Sequence, residues 1–115
     1  MITKVQLKEV LLQHINSPHI YAMPSLGKYP KPKDKFILVS LLGKSIEVSI
    51  QANEYTYCQP RNNIGPYTHV ELGYPNFNST ILKPYAEDPD NLQSTVYGQV
   101  PVEVVLEVLW KEING

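Results

Sequence analysis

The pattern of hydrophobic and polar positions predicts one helix at each end of the chain. Residues 4–15 place apolar side chains on one helical face, and the pair Thr3 and Gln6 is typical of a capping box. Residues 102–113 form a second helical pattern, and Pro101 is tolerated in its first turn because no amide partner is needed there. We therefore predict an N-terminal and a C-terminal α-helix.

The residues between the two helices follow the patterns of β-strands. Residues 36–42 are apolar on both faces, which predicts a central strand that is covered on each side. Residues 45–51 alternate between polar and apolar side chains, which predicts a half-exposed strand after a turn at Gly43 and Lys44. Further extended segments are predicted at residues 19–23, 55–59, 67–74 and 95–100.

Two proline-containing segments, residues 24–34 and residues 75–94, are predicted to be loops. The second is long for a compact domain, so we expect either a functional flap or a short strand at residues 80–82. Together the elements predict a single α+β domain over residues 1–115. In this fold one antiparallel sheet of about four to six strands packs against an N-terminal and a C-terminal helix on one face.

Composition and charge narrow the classes of function. The chain has 115 residues with 43% hydrophobic and 18% charged content, which is typical of a globular protein. A net charge of −1 argues against binding to duplex nucleic acid, since such domains are usually basic. We find neither a signal peptide nor an apolar run that could cross a bilayer. We therefore expect a cytoplasmic protein with no membrane partner.

The reactive side chains do not form a recognisable catalytic or metal motif. Cys58 is the only cysteine, which excludes an internal disulfide and a zinc site with several cysteines. Cys58 with His69 would suit a nucleophile and its base, but a strand position favours a packed, inert thiol. His69 and Glu71 lie on one predicted strand face, and two ligands do not make a metal site. We predict no metal and no cofactor.

A candidate binding site centres on Arg61, the only arginine in the chain. Arg61 follows a Tyr-x-Tyr segment in the sequence. A planar guanidinium beside aromatic rings suits a ligand that carries a phosphate or carboxylate and also has a group that stacks on a ring. In the alternative, Arg61 pairs with Glu54 or Glu71 and fixes a hairpin, and the two interpretations are about equally supported. The candidate ligand-binding residues are Tyr55, Tyr57, Arg61, Tyr67, His69 and Glu71.

A cluster of lysines precedes the predicted central strand. Its members are Lys28, Lys31, Lys33 and Lys35. The simplest interpretation is a solvated loop that proline residues stiffen. The functional interpretation is a positive rim near a site for an anionic ligand.

Part of the chain resembles small proteins that bacteriophages and prophages encode. The resemblance lies in residues 57–61 (YCQPR), 65–75 (GPYTHVELGYP) and 96–101 (VYGQVP) and covers about half the chain. The resemblance assigns no catalytic residue to this chain. Small phage proteins of this kind are often similar in role to anti-defence proteins, which sequester a nucleotide second messenger or block a host protein. The resemblance therefore implies an accessory protein that acts in the host cytoplasm.

The sequence leaves three functions open. The first is a non-enzymatic protein that sequesters an anionic, nucleotide-like signal molecule at the residues around Arg61. The second is an inhibitor that binds a host defence protein through a surface patch with no pocket. The third is a small nuclease or phosphodiesterase that uses His69 with Glu71, for which the sequence supplies neither a second strong base nor a metal set. From the sequence we favour the first function, with the second as the alternative and the third ranked last.

The C-terminal helix predicts an oligomer, most simply a homodimer. Apolar side chains span well over half of its circumference, whereas a helix on one sheet needs an apolar arc of about 100°. The surplus includes Trp110 and must be covered, and a second subunit would cover it. The alternative is cover within the same chain, by the first helix or by residues 75–94.

Overall fold

The two helices form where the pattern of apolar residues predicts them. In the computed structural model, which describes residues 2–19, 21–22 and 29–114, helix α1 spans Lys4–Asn16 and helix α2 spans Val102–Asn114. The predicted capping box is present at α1. Thr3 Oγ1 accepts a hydrogen bond from the Gln6 amide at 3.1 Å, and Gln6 Oε1 accepts one from the Thr3 amide at 2.8 Å.

The described strands form one main sheet and one small hairpin. Their bounds are β1 Tyr21–Ala22, β2 Tyr29–Pro30, β3 Phe36–Val39, β4 Ser45–Gln51, β5 His69–Gly73 and β6 Val96–Pro101. The main sheet is antiparallel with the order β3-β4-β5-β6, and β1 pairs with β2 separately. A 3-10 helix at Lys83–Tyr85 lies between the last two strands. The predicted α+β fold, one antiparallel sheet packed with two terminal helices, is confirmed.

The core lies between one face of the main sheet and both helices. On β4 the alternate residues Ile46, Val48 and Ile50 are each at most 1% exposed. The helices bury Leu7, Leu11 and Ile15 of α1 and Val102, Val105, Leu106, Val108 and Leu109 of α2. Removal of these apolar surfaces from water is the dominant favourable contribution to folding in a domain of this size.

Strand β3 is an edge strand, so the prediction of a central strand at residues 36–42 is wrong. The strand ends at Val39 and has β4 as its neighbour in the main sheet. Phe36 is buried, whereas Ile37 is 53% exposed and Val39 is 65% exposed on the other face. Consecutive apolar residues indicate that neither face is polar, but they do not show that a second layer covers both faces.

Residues 55–59 form turns, and the strand predicted there is wrong. The Asn53 side chain accepts a hydrogen bond from the Tyr55 amide at 2.7 Å, and Thr56 Oγ1 accepts one from the Asn53 amide at 2.9 Å. Local bonds of this kind satisfy the backbone and compete with a strand ladder. The only ladder contact described for this segment is an isolated bridge between Gln59 and His69.

The remaining segments largely follow the predictions. Strands β5 and β6 confirm the extended segments at residues 67–74 and 95–100, although Pro101 ends β6 instead of lying in the first turn of α2. Residues 80–82 form a turn before the 3-10 helix, so no strand lies there. Strand β1 covers part of residues 19–23, and β2 lies within the predicted loop. Residues 20 and 23–28, which include Lys28, lie outside the described residues.

The chain itself covers the apolar surface of α2 that predicted a dimer. The five buried residues of α2 are at most 7% exposed, and Val104, Trp110 and Ile113 pack against the core as partly buried residues. Helix α1 lies alongside α2, where Lys4 pairs with Glu107 and Lys8 with Glu103. Cover within one chain therefore accounts for the surplus. The homodimer stays a prediction, and the apolar surface of α2 no longer supports it.

Asn76 completes the hydrogen bonding of β4 on the side away from β3. Its amide donates to Glu47 O at 2.9 Å, its Oδ1 accepts from the Glu47 amide at 2.9 Å, and its Nδ2 donates to Ser45 O at 2.9 Å. The ladder between β4 and β5 begins at Ser49 and Gly73, so Asn76 extends it past the end of β5.

We predict that Asn76→Ala lowers the free energy of unfolding by about 1–2 kcal/mol, because two side-chain hydrogen bonds to strand backbone are lost. Urea unfolding followed by circular dichroism measures this difference. Asn78→Ala is the matched control, since Asn78 is also exposed and its side chain contacts Gln93. We expect a change of less than about 0.5 kcal/mol for the control. Equal losses in both variants would contradict the role of Asn76.

Candidate functional site

Arg61 packs on the ring of Tyr57. Its Cζ atom lies 5.6 Å from the ring centre, within the range of a cation–π contact. Arg61 Nε also donates a hydrogen bond to Glu54 O at 3.1 Å. The guanidinium therefore joins the two ends of a turn-rich loop, as in the alternative proposed from the sequence. Its partner is the backbone oxygen of Glu54 and not a carboxylate.

The backbone of Tyr57 fixes this loop to the outer face of the sheet, opposite the helices. Its amide donates to Glu71 Oε2 at 2.9 Å, and its carbonyl accepts a hydrogen bond from the Gln99 amide at 2.9 Å. The close approach favours glycine at position 98, because a Cβ there would lie 3.2 Å from Tyr57 Cβ, a tight contact. Glu71 is therefore an acceptor for the loop and holds the backbone of Tyr57, on whose ring Arg61 packs.

Tyr67 lies apart from that surface, although the sequence assigned it to the same site. It is 4% exposed, and its hydroxyl donates to Asn62 O at 2.7 Å. The hydroxyl also lies 3.0 Å from His19 Nε2, and the Tyr67 amide donates to Asn16 Oδ1 at 3.0 Å. Tyr67 is a core residue that joins the end of α1 to the loop before β5. Its ring offers no face to a ligand.

Tyr55 and His69 complete the predicted set. Tyr55 is 57% exposed. His69 is half-buried, and its Nδ1 lies 2.9 Å from Thr68 Oγ1. Among the described residues, no group of three His, Cys, Asp or Glu side chains could hold a metal ion. Tyr55 and the Tyr57–Arg61 pair are therefore the parts of the predicted set that present exposed side chains.

Cys58 is a packed thiol, as predicted, although a turn and not a strand holds it. The residue is 1% exposed, and its Sγ donates to Asn53 O at 3.1 Å. The thiol is therefore enclosed by the backbone of its own loop and is not accessible from solvent.

A cluster of exposed apolar side chains lies on the hairpin of β3 and β4, and the sequence did not identify it as a site. Leu41 is 83% exposed and Leu42 is 97% exposed. Gly43 follows them with φ of 84°, the conformation that this tight hairpin turn requires. We call Ile37, Val39, Leu41 and Leu42 the hairpin patch. A pair of leucines directly before a Gly-Lys turn is the signal that would have revealed it, since turns lie in solvent.

A groove of about 390 Å³ adjoins the hairpin patch. Leu38 and Val39 line it on the sheet side, and Ile2 and Ile113 line it next to the two helices. Lys44 fixes the hairpin to the end of α2, since its Nζ donates to the backbone oxygen of Glu112 at 2.8 Å and lies 3.6 Å from Glu112 Oε2. The walls of the groove are therefore tied to each other.

Another groove, of about 380 Å³, lies at the end of α1 and is lined in part by His14, His19, Lys31 and Lys33. Lys33 Nζ donates to Ser17 O at 3.0 Å and to Ser17 Oγ at 2.8 Å, a favourable position for a cation at a helix C-terminus. Burial lowers the pKa of Lys33. Burial is also the main cause that lowers the pKa of His14 and of His19, and the charge of Lys33 lowers both further.

No family model, curated protein or solved structure matches the chain. The resemblance to phage-encoded proteins therefore stays a prediction. Among the helices of the described residues, none is long and apolar enough to span a membrane.

We predict that the free energy of unfolding decreases as the pH is lowered from about 7.5 to about 5. The fold lowers the pKa of His14 and of His19 below the ordinary value of 6.5, so the unfolded chain binds more protons in this range. Their contribution is complete above pH 6.5 and is lost as the pH falls toward the lowered pKa values. Urea unfolding at a series of pH values measures this dependence.

The control is the double variant His14→Gln, His19→Gln. Glutamine does not titrate in this range, and at position 14 it retains a donor for Ile50 O, which lies 3.1 Å from His14 Nε2. We expect a flatter pH profile for the variant. An equally steep profile would show that other groups cause the dependence.

Proposed function

We propose that the protein is a non-enzymatic binding protein that engages another protein through the hairpin patch. The observation that supports this most directly is the exposure of Leu41 and Leu42, at 83% and 97%, beside the groove of about 390 Å³. Contiguous apolar side chains in solvent mark sites of association. Burial of each leucine by a partner would contribute about 1.5–3 kcal/mol before the costs of association are subtracted.

The support beneath the hairpin favours a site that is formed before binding. Leu38 pairs with Ile46 in the sheet, and Lys44 ties the far side of the turn to Glu112 of α2. A surface that is held in place by its own chain loses less conformational entropy when a partner binds. The hairpin patch therefore has the rigid backing that binding loops usually need.

Among the functions that the sequence leaves open, this proposal corresponds to inhibition of a host protein through a surface patch. The hairpin patch contains four apolar side chains and no charge, which suits a protein surface better than an anionic nucleotide. The resemblance to phage-encoded proteins favours a host defence protein in the cytoplasm as the partner.

We predict that the double variant Leu41→Ser, Leu42→Ser loses binding to peptides that the wild-type protein selects from a displayed random library. The affinity for the selected peptides should fall at least about tenfold, measured by fluorescence anisotropy. The free energy of unfolding should change by less than about 0.5 kcal/mol, because exposed side chains contribute little to the fold.

Ile64→Ser is the matched control, since Ile64 is 87% exposed and lies outside the hairpin patch. The control should keep the wild-type affinity. Unchanged binding by the double variant, or an equal loss in Ile64→Ser, would contradict the proposal.

The loop around Arg61 supports a second candidate function, capture of an anionic, nucleotide-like ligand. The supporting observation is the contact between the guanidinium and the Tyr57 ring, in which both side chains remain exposed. Arginine and tyrosine together suit a phosphate and a base that stacks. This candidate ranks second because Arg61 Nε already donates to Glu54 O.

For this candidate we expect linear or cyclic nucleotides to raise the melting temperature of the wild-type protein. Arg61→Ala should lower nucleotide affinity at least about tenfold and the free energy of unfolding by only about 0.5–1 kcal/mol. Lys83→Ala, which removes an exposed cation on the 3-10 helix, is the control and should bind normally. The absence of any thermal shift with the wild-type protein would rule out nucleotide capture.

A further inference from the structure

Among the described residues, no strand pairs with the outer edge of β3. The Ser40 amide donates to Lys44 O at 2.8 Å, so residues 36, 38 and 40 direct their backbone groups toward β4. On β4, Asn76 bonds both backbone groups of Glu47 from the opposite side, which agrees with this alternation. The N–H and C=O groups of Ile37 and Val39 therefore point away from β4, where the main sheet of the described residues has no further strand.

The groove adjoins the same edge. A strand added beside β3 places every second side chain on the helix side of the sheet, where Ile2, Leu38 and Ile113 line the groove. Its other side chains lie on the face where Ile37 and Val39 are exposed. An added strand would thus gain main-chain hydrogen bonds from the edge and apolar contacts on both faces.

Charge distinguishes the two ends of this edge. Residues 31–35, before β3, contain three lysines and one aspartate, and Lys31 and Lys35 are exposed. The opposite end of β3 leads to the exposed leucines of the hairpin patch. An antiparallel partner strand would run from the leucines toward the lysines. It should therefore be apolar in its N-terminal part and acidic in its C-terminal part.

We infer that β3 binds an extended segment of a partner protein as an additional antiparallel strand, with apolar residues first and acidic residues last. This inference rests on the function proposed above and specifies its partner. A second copy of the chain fits less well. In a two-fold antiparallel pairing of β3 with itself, the lysine-rich residues 31–35 of one copy lie beside Leu41 and Leu42 of the other. No opposite charges meet in that arrangement.

Synthetic peptides test the inference. The first peptide has alternating valine and threonine residues followed by a run of glutamates, the second ends in lysines, and the third has the glutamates first. We expect the first peptide to bind about tenfold more tightly than the other two at low salt. The difference should shrink in about 0.5 M salt, because the charges involved are exposed.

Charge-reversed variants of the protein provide the matched comparison. The double variant Lys31→Glu, Lys35→Glu should prefer the peptide that ends in lysines. Lys83→Glu reverses an exposed charge on the 3-10 helix and should keep the wild-type preference.

Amide hydrogen exchange measured by NMR gives a second readout. The first peptide should slow exchange at Ile37 and Val39 and leave Leu38 unchanged, because the Leu38 amide already faces β4. N-methylation of the peptide residues that face β3 should abolish binding, and methylation of the intervening residues should not.

The outcomes separate this inference from the proposed function. Two results would overturn strand addition and leave binding at the hairpin patch intact. In the first, binding needs Leu41 and Leu42 but leaves amide exchange at Ile37 and Val39 unchanged. In the second, the peptides bind equally whatever the order of their apolar and charged residues. The same holds if the library peptides bind and the designed peptides do not. Failure of both kinds of peptide would overturn both proposals. A further outcome is that the amides of Ile37 and Val39 exchange slowly without peptide and become more protected as the protein concentration rises. That result would assign the edge to a second copy of the chain.

Discussion

Both helices pack on one face of a four-stranded sheet. The cover on the opposite face decides which apolar side chains of the sheet remain exposed to solvent. At β5 and β6 the chain covers that face with its own loop, since Tyr57 bonds Glu71 and the Gln99 amide and packs on Gly98. At β3 no described residue does the same, and Ile37 and Val39 remain more than half exposed. Among the described residues, the loop around Tyr57 covers the half of this face that β5 and β6 form and leaves the β3 half exposed.

The two sides of β4 show the same contrast in hydrogen bonding. Beyond the end of β5, Asn76 satisfies the backbone of β4. Strand β3, on the other side, has an outer edge with no partner among the described strands. Proteins protect such edges from self-association with short strands and with lysines. Here β3 has 4 residues and Lys35 directly precedes it, so the same lysine that limits pairing between copies would attract an acidic partner.

The parts of the fold that depend on local chemistry could be predicted from the sequence. The capping box of α1 needs only Thr3 and Gln6, and the alternation of β4 identifies its buried face directly. The position of β3 in the sheet could not be predicted, because an apolar run looks the same at an edge and at the centre. A strand was predicted at residues 55–59 because tyrosine favours strands, whereas the side chain of Asn53 stabilises a turn there through a local hydrogen bond.

The candidate site shows a similar division. The sequence predicted correctly that Cys58 is packed. It assigned Tyr57, Arg61 and Glu71 to one site, and in the structure Arg61 packs on the Tyr57 ring while Glu71 accepts a hydrogen bond from the Tyr57 amide. It placed Tyr67 there as well, because the bonds of Tyr67 to Asn16 and Asn62 depend on tertiary contacts that spacing does not reveal. The hairpin patch was not predicted because residues 36–42 were interpreted as a strand covered on both faces, although Leu41 and Leu42 directly precede the turn at Gly43 and Lys44.

Amide hydrogen exchange in the isolated, dilute protein tests most directly whether the edge of β3 is open. If it is open, the amides of Ile37 and Val39 exchange at rates close to those of an unfolded peptide. The Leu38 amide faces β4 and the Val48 amide faces β3. Both should then exchange at least about a hundredfold more slowly. Equally slow exchange at all four positions in the monomer would contradict an open edge and would remove the basis for a partner strand at β3.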